Sequence, residues 1–258
     1  MRRTQVCLLL AALVVAPALA ACGSGPSDSR VAPKRLACRD LDGADLKEHT
    51  NDTAPVPCTR RHTAQTFYVG RFPTRLGDDY STRKQGAYVF DTCRPAYEKF
   101  LDLDDSLTLR VELSWAWFAP SEKGWSEGAR WFRCDVVGGR PDATTLPALP
   151  RTAQALFHGL PPDAWLSCRR GAKFTSATRL PCSQKHDWRA VSAIKLGEPD
   201  DPYPGDRFSE VRARDYCNDA VGAWTGYAPD YAYAYTWFHK AEWQAGNRRA
   251  VCWARTDR

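Results

Sequence analysis

Pro57-Cys58-Thr59-Arg60-Arg61-His62 returns later in the chain as Pro181-Cys182-Ser183-Gln184-Lys185-His186. In both copies three residues separate the cysteine from the histidine, and thirty separate that histidine from the next cysteine. One cysteine precedes each copy and another closes it. The resulting cysteine sets are Cys38, Cys58, Cys93 and Cys134, and then Cys168, Cys182, Cys217 and Cys252. This shared spacing predicts a tandem repeat of one cysteine-rich module.

The N-terminal segment is typical of a secreted, lipid-anchored bacterial protein. Two arginines precede an uncharged apolar run over residues 6–20, which has the length of a signal peptide. The run ends in Leu19-Ala20-Ala21-Cys22, which resembles the lipobox of bacterial lipoproteins. That resemblance implies a diacylglyceryl group on the thiol of Cys22, whose two chains suffice for stable anchoring. We therefore expect residues 1–21 to be a lipoprotein signal peptide and the mature protein to lie, lipid-anchored, on the extracytoplasmic face of the cell membrane. A plain signal peptide followed by an unmodified cysteine is the alternative.

Eight cysteines remain once Cys7 in the signal peptide and Cys22 are set aside. An even number in an oxidising compartment predicts disulfides, each of which stabilises a fold by about 2–4 kcal/mol. Sequence alone leaves three pairings open in each module. We favour first with second and third with fourth, because the first pair would join neighbouring strands near a turn. The second pair would then fasten the helix to the last strand.

The order of secondary structure is the same in both copies. A short strand surrounds the first cysteine, a Pro-Cys turn opens the next strand, and an amphipathic helix carries the third cysteine. We predict this helix over residues 82–101, where Pro95 should kink or split it, and over 207–224. Two aromatic strands close each copy. The predicted fold class is therefore α+β, with two tandem ββαββ modules, each a small antiparallel sheet with one helix, stabilised by disulfides.

In the second helix the larger apolar residues recur near helical spacing, which predicts that they face the core. They are Phe208, Val211, Tyr216 and Val221.

Composition divides the chain into five parts. A segment rich in Gly, Ser and Pro follows the predicted cleavage site and is typical of a flexible tether, and a second proline-rich stretch separates the modules. The predicted parts are the signal peptide at 1–21, the tether at 22–34, module 1 at 35–139, the linker at 140–162 and module 2 at 163–258. Within the linker, residues 151–158 form a short helical candidate.

The charge of the chain excludes one class of partner. The formal net charge is +6, which is mildly basic and would favour anionic lipids or wall polymers. No stretch forms the basic stripe of a nucleic-acid-binding protein, so we expect no nucleic-acid partner.

Each copy also ends in a tryptophan, a glycine and a cysteine at the same spacing, namely Trp125, Gly128 and Cys134, and Trp243, Gly246 and Cys252. Together with Pro57-Cys58 and His62, and with Pro181-Cys182 and His186, this pattern resembles the septum-formation family of bacterial envelope proteins. The resemblance implies two septum-formation-like modules, attachment to the membrane and a role at the division septum, and it brings no catalytic residues. An acidic residue often follows the histidine in that family. Asp187 takes that place in the second copy and Thr63 in the first, so a ligand bound there would distinguish the modules.

Cysteine and histidine at this spacing would suit a zinc site, which needs free thiolates. The predicted disulfides remove those thiolates, so we expect no metal and no other cofactor. We interpret His62 and His186 as structural residues that bond to loop backbone at the start of a strand. A ligand-binding or pH-sensing role for them stays open, because histidine titrates near neutral pH.

Aromatic residues are the other candidates for binding. Tyr231, Tyr233 and Tyr235 alternate, so they share one side of a strand. An exposed row could stack on sugar rings or anchor a partner protein, whereas a buried row would be the sheet face beneath the helix. Trp125 and Trp243 occupy equivalent turns and are candidates for either a structural or a ligand-binding role.

We expect a lipid-anchored extracytoplasmic binding or scaffolding protein that acts in septum formation or cell-envelope assembly, with an envelope or division protein as its partner. The alternative is a cell-wall polysaccharide-binding protein that uses exposed aromatic rows. An enzyme is the least favoured class, because no free cysteine remains to pair with histidine and no hydrolase, metalloprotease or phosphate-binding motif occurs. We predict no catalytic residue.

Overall fold

A computed structural model describes residues 25–140, 143, 145–198, 200–244 and 246–256. The predicted signal peptide and the predicted lipidation site, Cys22, lie outside the described residues and stay predictions. Among the residues that are described, no helix combines the length and the apolar character needed to cross a membrane.

Module 1 is a four-stranded antiparallel sheet with one long helix. Its elements are β1 (Cys38–Arg39), β2 (Ala64–Arg71), α1 (Thr82–Leu101), β3 (Leu113–Phe118), α2 (Glu122–Ser126) and β4 (Trp131–Gly138). The strand order is β1-β2-β4-β3. Helix α1 begins where the Ser81 side chain accepts a hydrogen bond from the Lys84 amide, and it ends at Asp102 with φ of 61°. It continues through Pro95 without the predicted split, at the cost of one backbone hydrogen bond, and a kink at Pro95 stays a prediction.

Module 2 repeats this plan with one more strand. Its elements are β5 (Ser167–Arg170), β6 (Thr178–Pro181), β7 (Trp188–Lys195), α3 (Asp206–Trp224), β8 (Tyr233–Trp237), α4 (Lys240–Gln244) and β9 (Arg249–Arg255). The strand order is β6-β5-β7-β9-β8. Strand β6 pairs Leu180 with Cys168, and in module 1 the equivalent pair, Val56 with Cys38, is an isolated bridge. The loop from the first cysteine to the second is shorter in module 2, 14 positions against 20, which favours the tighter hairpin.

The α+β prediction is confirmed, and so is the predicted cysteine pairing. The structure joins Cys38 to Cys58, Cys93 to Cys134, Cys168 to Cys182, and Cys217 to Cys252. The Cα–Cα distances of these pairs are 5.3, 6.3, 4.9 and 5.0 Å, within the usual range for disulfides. In each module the second bridge ties the long helix to the last strand of the sheet.

The described part of the predicted tether, residues 25–34, does not extend freely. The Ser27 amide donates to Asp52 Oδ1 at 2.6 Å, and the Trp131 indole donates to the Ser29 carbonyl at 2.7 Å. Ser27 is buried, and its carbonyl accepts a hydrogen bond from the Ser121 amide. These contacts hold the segment against module 1, which its Gly, Ser and Pro content did not indicate.

The predicted linker also packs against module 1. Leu149 and Phe157 are buried in the core of that module. Residues 151–158 form turns and no helix, because the Ala155 and Phe157 amides donate to the free carbonyls of Phe100 and Leu101 at the end of α1. Those carbonyls have no hydrogen-bond partner inside α1, so the linker supplies the hydrogen bonds that the end of the helix lacks.

The two modules share a core. Leu166 and Leu180 of module 2 belong to the same buried cluster as Val111 and Phe157, and Val111 forms a β-bridge with Leu166. Beside this bridge Glu112 accepts hydrogen bonds from Arg179 and Ser167 across the junction. The two modules are therefore closely packed on one another. The predicted boundaries at residues 139 and 163 separate the repeats in the sequence, but the buried core continues across them.

Candidate binding site

The Pro-Cys-x-x-x-His turn has the same geometry in both modules. His62 Nδ1 lies 2.9 Å from the Arg60 carbonyl, and His186 Nδ1 lies 2.7 Å from the Gln184 carbonyl. Since a carbonyl only accepts, Nδ1 carries a proton and donates it, and in the neutral ring Nε2 is then an acceptor. Both rings are buried. This is the backbone hydrogen bond expected of a structural histidine at the start of a strand, and a ligand role for either residue stays a prediction.

The sulfurs of Cys168 and Cys182 and a ring nitrogen of His186 lie within 4.8 Å of one another. Three such atoms at this distance could hold a metal ion if the cysteines were thiolates. Both cysteines are engaged in one disulfide, so they offer no thiolate. The residues therefore do not fit a zinc site in the oxidised protein.

The equivalent tryptophans, Trp125 and Trp243, are buried parts of the scaffold. The Trp125 indole donates to the Asp78 carbonyl at 2.6 Å, and the Trp243 indole donates to the Asp201 carbonyl at 2.9 Å. Each one fastens the loop before the long helix to the short helix before the last strand. Their burial, with 3% and 2% of their surface exposed, leaves little indole for a ligand.

The tyrosine row is the sheet face beneath α3. Tyr231, Tyr233, Tyr235 and Trp237 lie side by side with their rings tilted, and successive ring centroids are 6.4, 6.4 and 5.9 Å apart. They are half-buried and pack on the core of module 2, and the Tyr231 hydroxyl donates to Asn218 Oδ1 on α3 at 2.9 Å. Burial and then the nearby Glu210 carboxylate raise the pKa of the Tyr235 phenol. The helix thus covers much of the row that could otherwise have formed an open aromatic platform.

The outer face of α3 exposes apolar residues that the sequence placed in the core. Phe208, Val211 and Tyr216 are 50%, 37% and 42% exposed. The Arg212 guanidinium lies 5.4 Å from the ring centroids of both Phe208 and Tyr216 and completes a continuous surface with them. Of the four apolar residues predicted to face the core, only Val221 is buried.

Small side chains explain why the helix turns this way. Ser209, Ala213 and Cys217 recur every four residues, are fully buried and face the sheet. The large rings of the tyrosine row fill the space between helix and sheet, so the helix presents its small residues to them. That four-residue period was the sequence signal for the orientation of α3.

The fold defines a tandem-repeat, disulfide-stabilised α+β protein whose repeated histidines and tryptophans are built into its scaffold. The sequence model of the septum formation family matches residues 3–119 and again residues 110–252. The two matches together span nearly the whole chain, which therefore belongs to the septum formation family. No curated protein and no solved structure matches the chain. The second match begins in module 1, earlier than the predicted boundary of module 2.

Proposed function

We propose that this chain is a lipid-anchored protein of the extracytoplasmic face of the cell membrane, where it acts as a binding or scaffolding component in septum formation or cell-envelope assembly. Membership of the septum formation family supports the septal or envelope role. The four disulfides support an oxidising compartment outside the cytoplasm.

The observation that carries the binding role is the outer face of α3. Phe208 and Tyr216 both lie near the Arg212 guanidinium, and these two residues and Val211 have large parts of their surfaces open to solvent. Exposed aromatic residues stacked with arginine are the side chains that contribute most to protein–protein binding. We propose that another envelope or division protein docks on this face.

The proposed role is not catalytic. Each of the eight cysteines in the described residues is in a disulfide, so a cysteine–histidine mechanism has no thiolate to use as nucleophile. The two repeated histidines each use Nδ1 to hold a turn.

The test places a photocrosslinking amino acid in the full-length chain in growing cells, at Phe208, at Tyr216 or at the control position Val31. Val31 is 78% exposed and lies in the segment before module 1. We expect positions 208 and 216 to capture the same envelope or division protein, and position 31 to capture it weakly or not at all. No product at 208 or 216, or equal capture at all three positions, would contradict the proposed docking face.

The membrane anchor needs a separate measurement. We expect Cys22→Ser to abolish the mass of the diacylglyceryl group and to release the chain from the membrane fraction. If the wild-type chain is membrane-bound but its Cys22 carries no diacylglyceryl group, the lipid anchor is refuted, whatever the crosslinking result.

A further inference from the structure

A cleft lies where the linker and the two modules meet. It consists of two adjoining cavities of about 500 and 590 Å³, which share Leu160, Pro161, Arg189 and Trp224 in their linings. Each volume is within the range of about 300–1,000 Å³ that is usual for small-molecule sites. The cleft is distinct from the outer face of α3, since Phe208, Val211 and Tyr216 do not line it.

Two polar atoms of cleft residues have no hydrogen-bond partner among the described residues. They are Nε2 of His186 and Oγ1 of Thr256, and both atoms are buried. His186 is only 4% exposed. Because its Nδ1 donates to the Gln184 carbonyl, Nε2 accepts in the neutral ring, whereas the Thr256 hydroxyl can donate or accept. Buried polar atoms are normally paired, so a ligand hydroxyl that reached these two atoms from the cleft would satisfy them.

The charges around the cleft nearly balance. The lining contains two positively charged residues, Arg110 and Arg189, and three negatively charged residues, Asp102, Asp104 and Asp163. Arg189 is paired with Asp163 at 2.6 Å, and Asp102 lies 2.7 Å from the His158 ring. With neither sign in excess by more than one charge, the cleft has no strong preference for an anion or a cation. A neutral polar ligand suits it better.

An aromatic surface completes the site. Trp224, the last residue of α3, is 50% exposed and lines both cavities. A half-exposed indole offers a flat apolar face, which matches the C–H face of a sugar ring, while the ring hydroxyls meet the polar wall. We propose that the cleft binds a neutral sugar unit, which stacks on Trp224 and donates a hydroxyl hydrogen to His186 Nε2, with a second hydrogen bond to Thr256 Oγ1. This inference rests on the proposed non-catalytic binding role and adds a ligand class to it.

The test uses the full-length chain in a detergent without a sugar headgroup, with chitotetraose and maltotetraose as neutral oligosaccharide probes. Calorimetry measures the affinity, and tryptophan fluorescence reports on Trp224. We expect saturable binding of at least one probe and a fluorescence change that Trp224→Ala abolishes. Phe90→Ala is the matched control, because Phe90 is also an aromatic residue on the surface of a long helix, is 41% exposed, and does not line the cleft. It should leave the affinity unchanged.

Thr256→Val separates binding from folding. It removes a hydroxyl that has no hydrogen-bond partner within the described part of the chain, so the melting temperature should not fall, while the affinity should weaken by about threefold to tenfold for one lost hydrogen bond. Failure of both probes to bind at millimolar concentration would overturn the sugar site, and so would equal losses in Trp224→Ala and Phe90→Ala. Crosslinking from α3 is unaffected by either result, so the two proposals fail independently.

Discussion

Arg179→Met tests whether the two modules unfold as one unit. Arg179 of module 2 donates from Nε to Glu112 of module 1 and from Nη2 to the Val111 carbonyl at 3.1 Å. Glu112 is buried, with 8% of its surface exposed, and the Ser167 hydroxyl also donates to it. Methionine keeps most of the side-chain volume but removes the hydrogen-bonded ion pair, and Arg169, which also interacts electrostatically with Glu112, remains as a counter-charge. Breaking a buried pair in this way costs about 3–5 kcal/mol. The Arg179 side chain is 25% exposed, so water can partly replace it, and we expect the lower end of that range.

The assay is urea unfolding of the full-length chain, followed by tryptophan fluorescence and by circular dichroism. We expect one cooperative transition in both proteins, with the free energy of unfolding lower by about 3 kcal/mol in the variant. Arg61→Met is the matched control. It breaks the ion pair with Asp40, whose side chains are 58% and 46% exposed, and it should cost less than about 1 kcal/mol. A loss in Arg179→Met no larger than the control, or separate transitions for the two modules, would refute the shared core.

Three further predictions concern other parts of the molecule. Alkylation of the denatured, unreduced protein should label none of the eight cysteines between residues 38 and 252. After reduction, intact-mass spectra should show all eight labelled. A label on any of them before reduction would contradict the assigned disulfides. The hydrogen bond with Asp206 raises the pKa of His239. This pair therefore stabilises the fold below the ordinary histidine pKa of about 6.5, and the stabilisation is lost as the pH rises through the higher pKa of the folded state. An NMR titration should show a lower His239 pKa in Asp206→Asn, and an unchanged pKa would show that the two side chains do not interact. Gly124→Ala would place a methyl group 2.7 Å from the Ser27 carbonyl oxygen, so amide exchange over residues 25–30 should accelerate. Gly86→Ala, whose nearest neighbour is 3.4 Å away, should leave that exchange unchanged; equal protection in both variants would show that the segment is not held there.

The sequence predicted the covalent framework well because repeated spacing is a strong constraint. Two copies with identical intervals between cysteine and histidine identified the repeat, and the predicted strands around Cys38 and Cys168 led to the observed pairing. Helix α3 was predicted within one residue of its observed start. The orientation of α3 was not predicted. Large apolar residues at helical spacing do not show which face of a helix packs on the sheet when large side chains from a neighbouring strand fill the space between helix and sheet.

The packing of the linker and the cleft could not be predicted for a different reason. Prolines around residues 141–162 indicate an extended chain, but they do not show that Leu149 and Phe157 enter the core of module 1. The cleft draws Arg110, His186, Trp224 and Thr256 from four separate stretches of sequence. Only the folded arrangement brings them together, whereas the repeated histidines were evident from spacing alone.

In a lipid-anchored protein, the contacts that hold residues 25–34 on module 1 would also set the distance between the protein and the bilayer. If Cys22 carries the lipid, only residues 22–24 separate the acyl chains from the held segment. Three residues span at most about 11 Å when fully extended. Module 1 would then sit close to the lipid headgroups, with little freedom to drift outward. The distance from the bilayer that this protein can reach would then be set by the length of its folded body. A partner protein or polymer would have to approach the membrane surface to contact it.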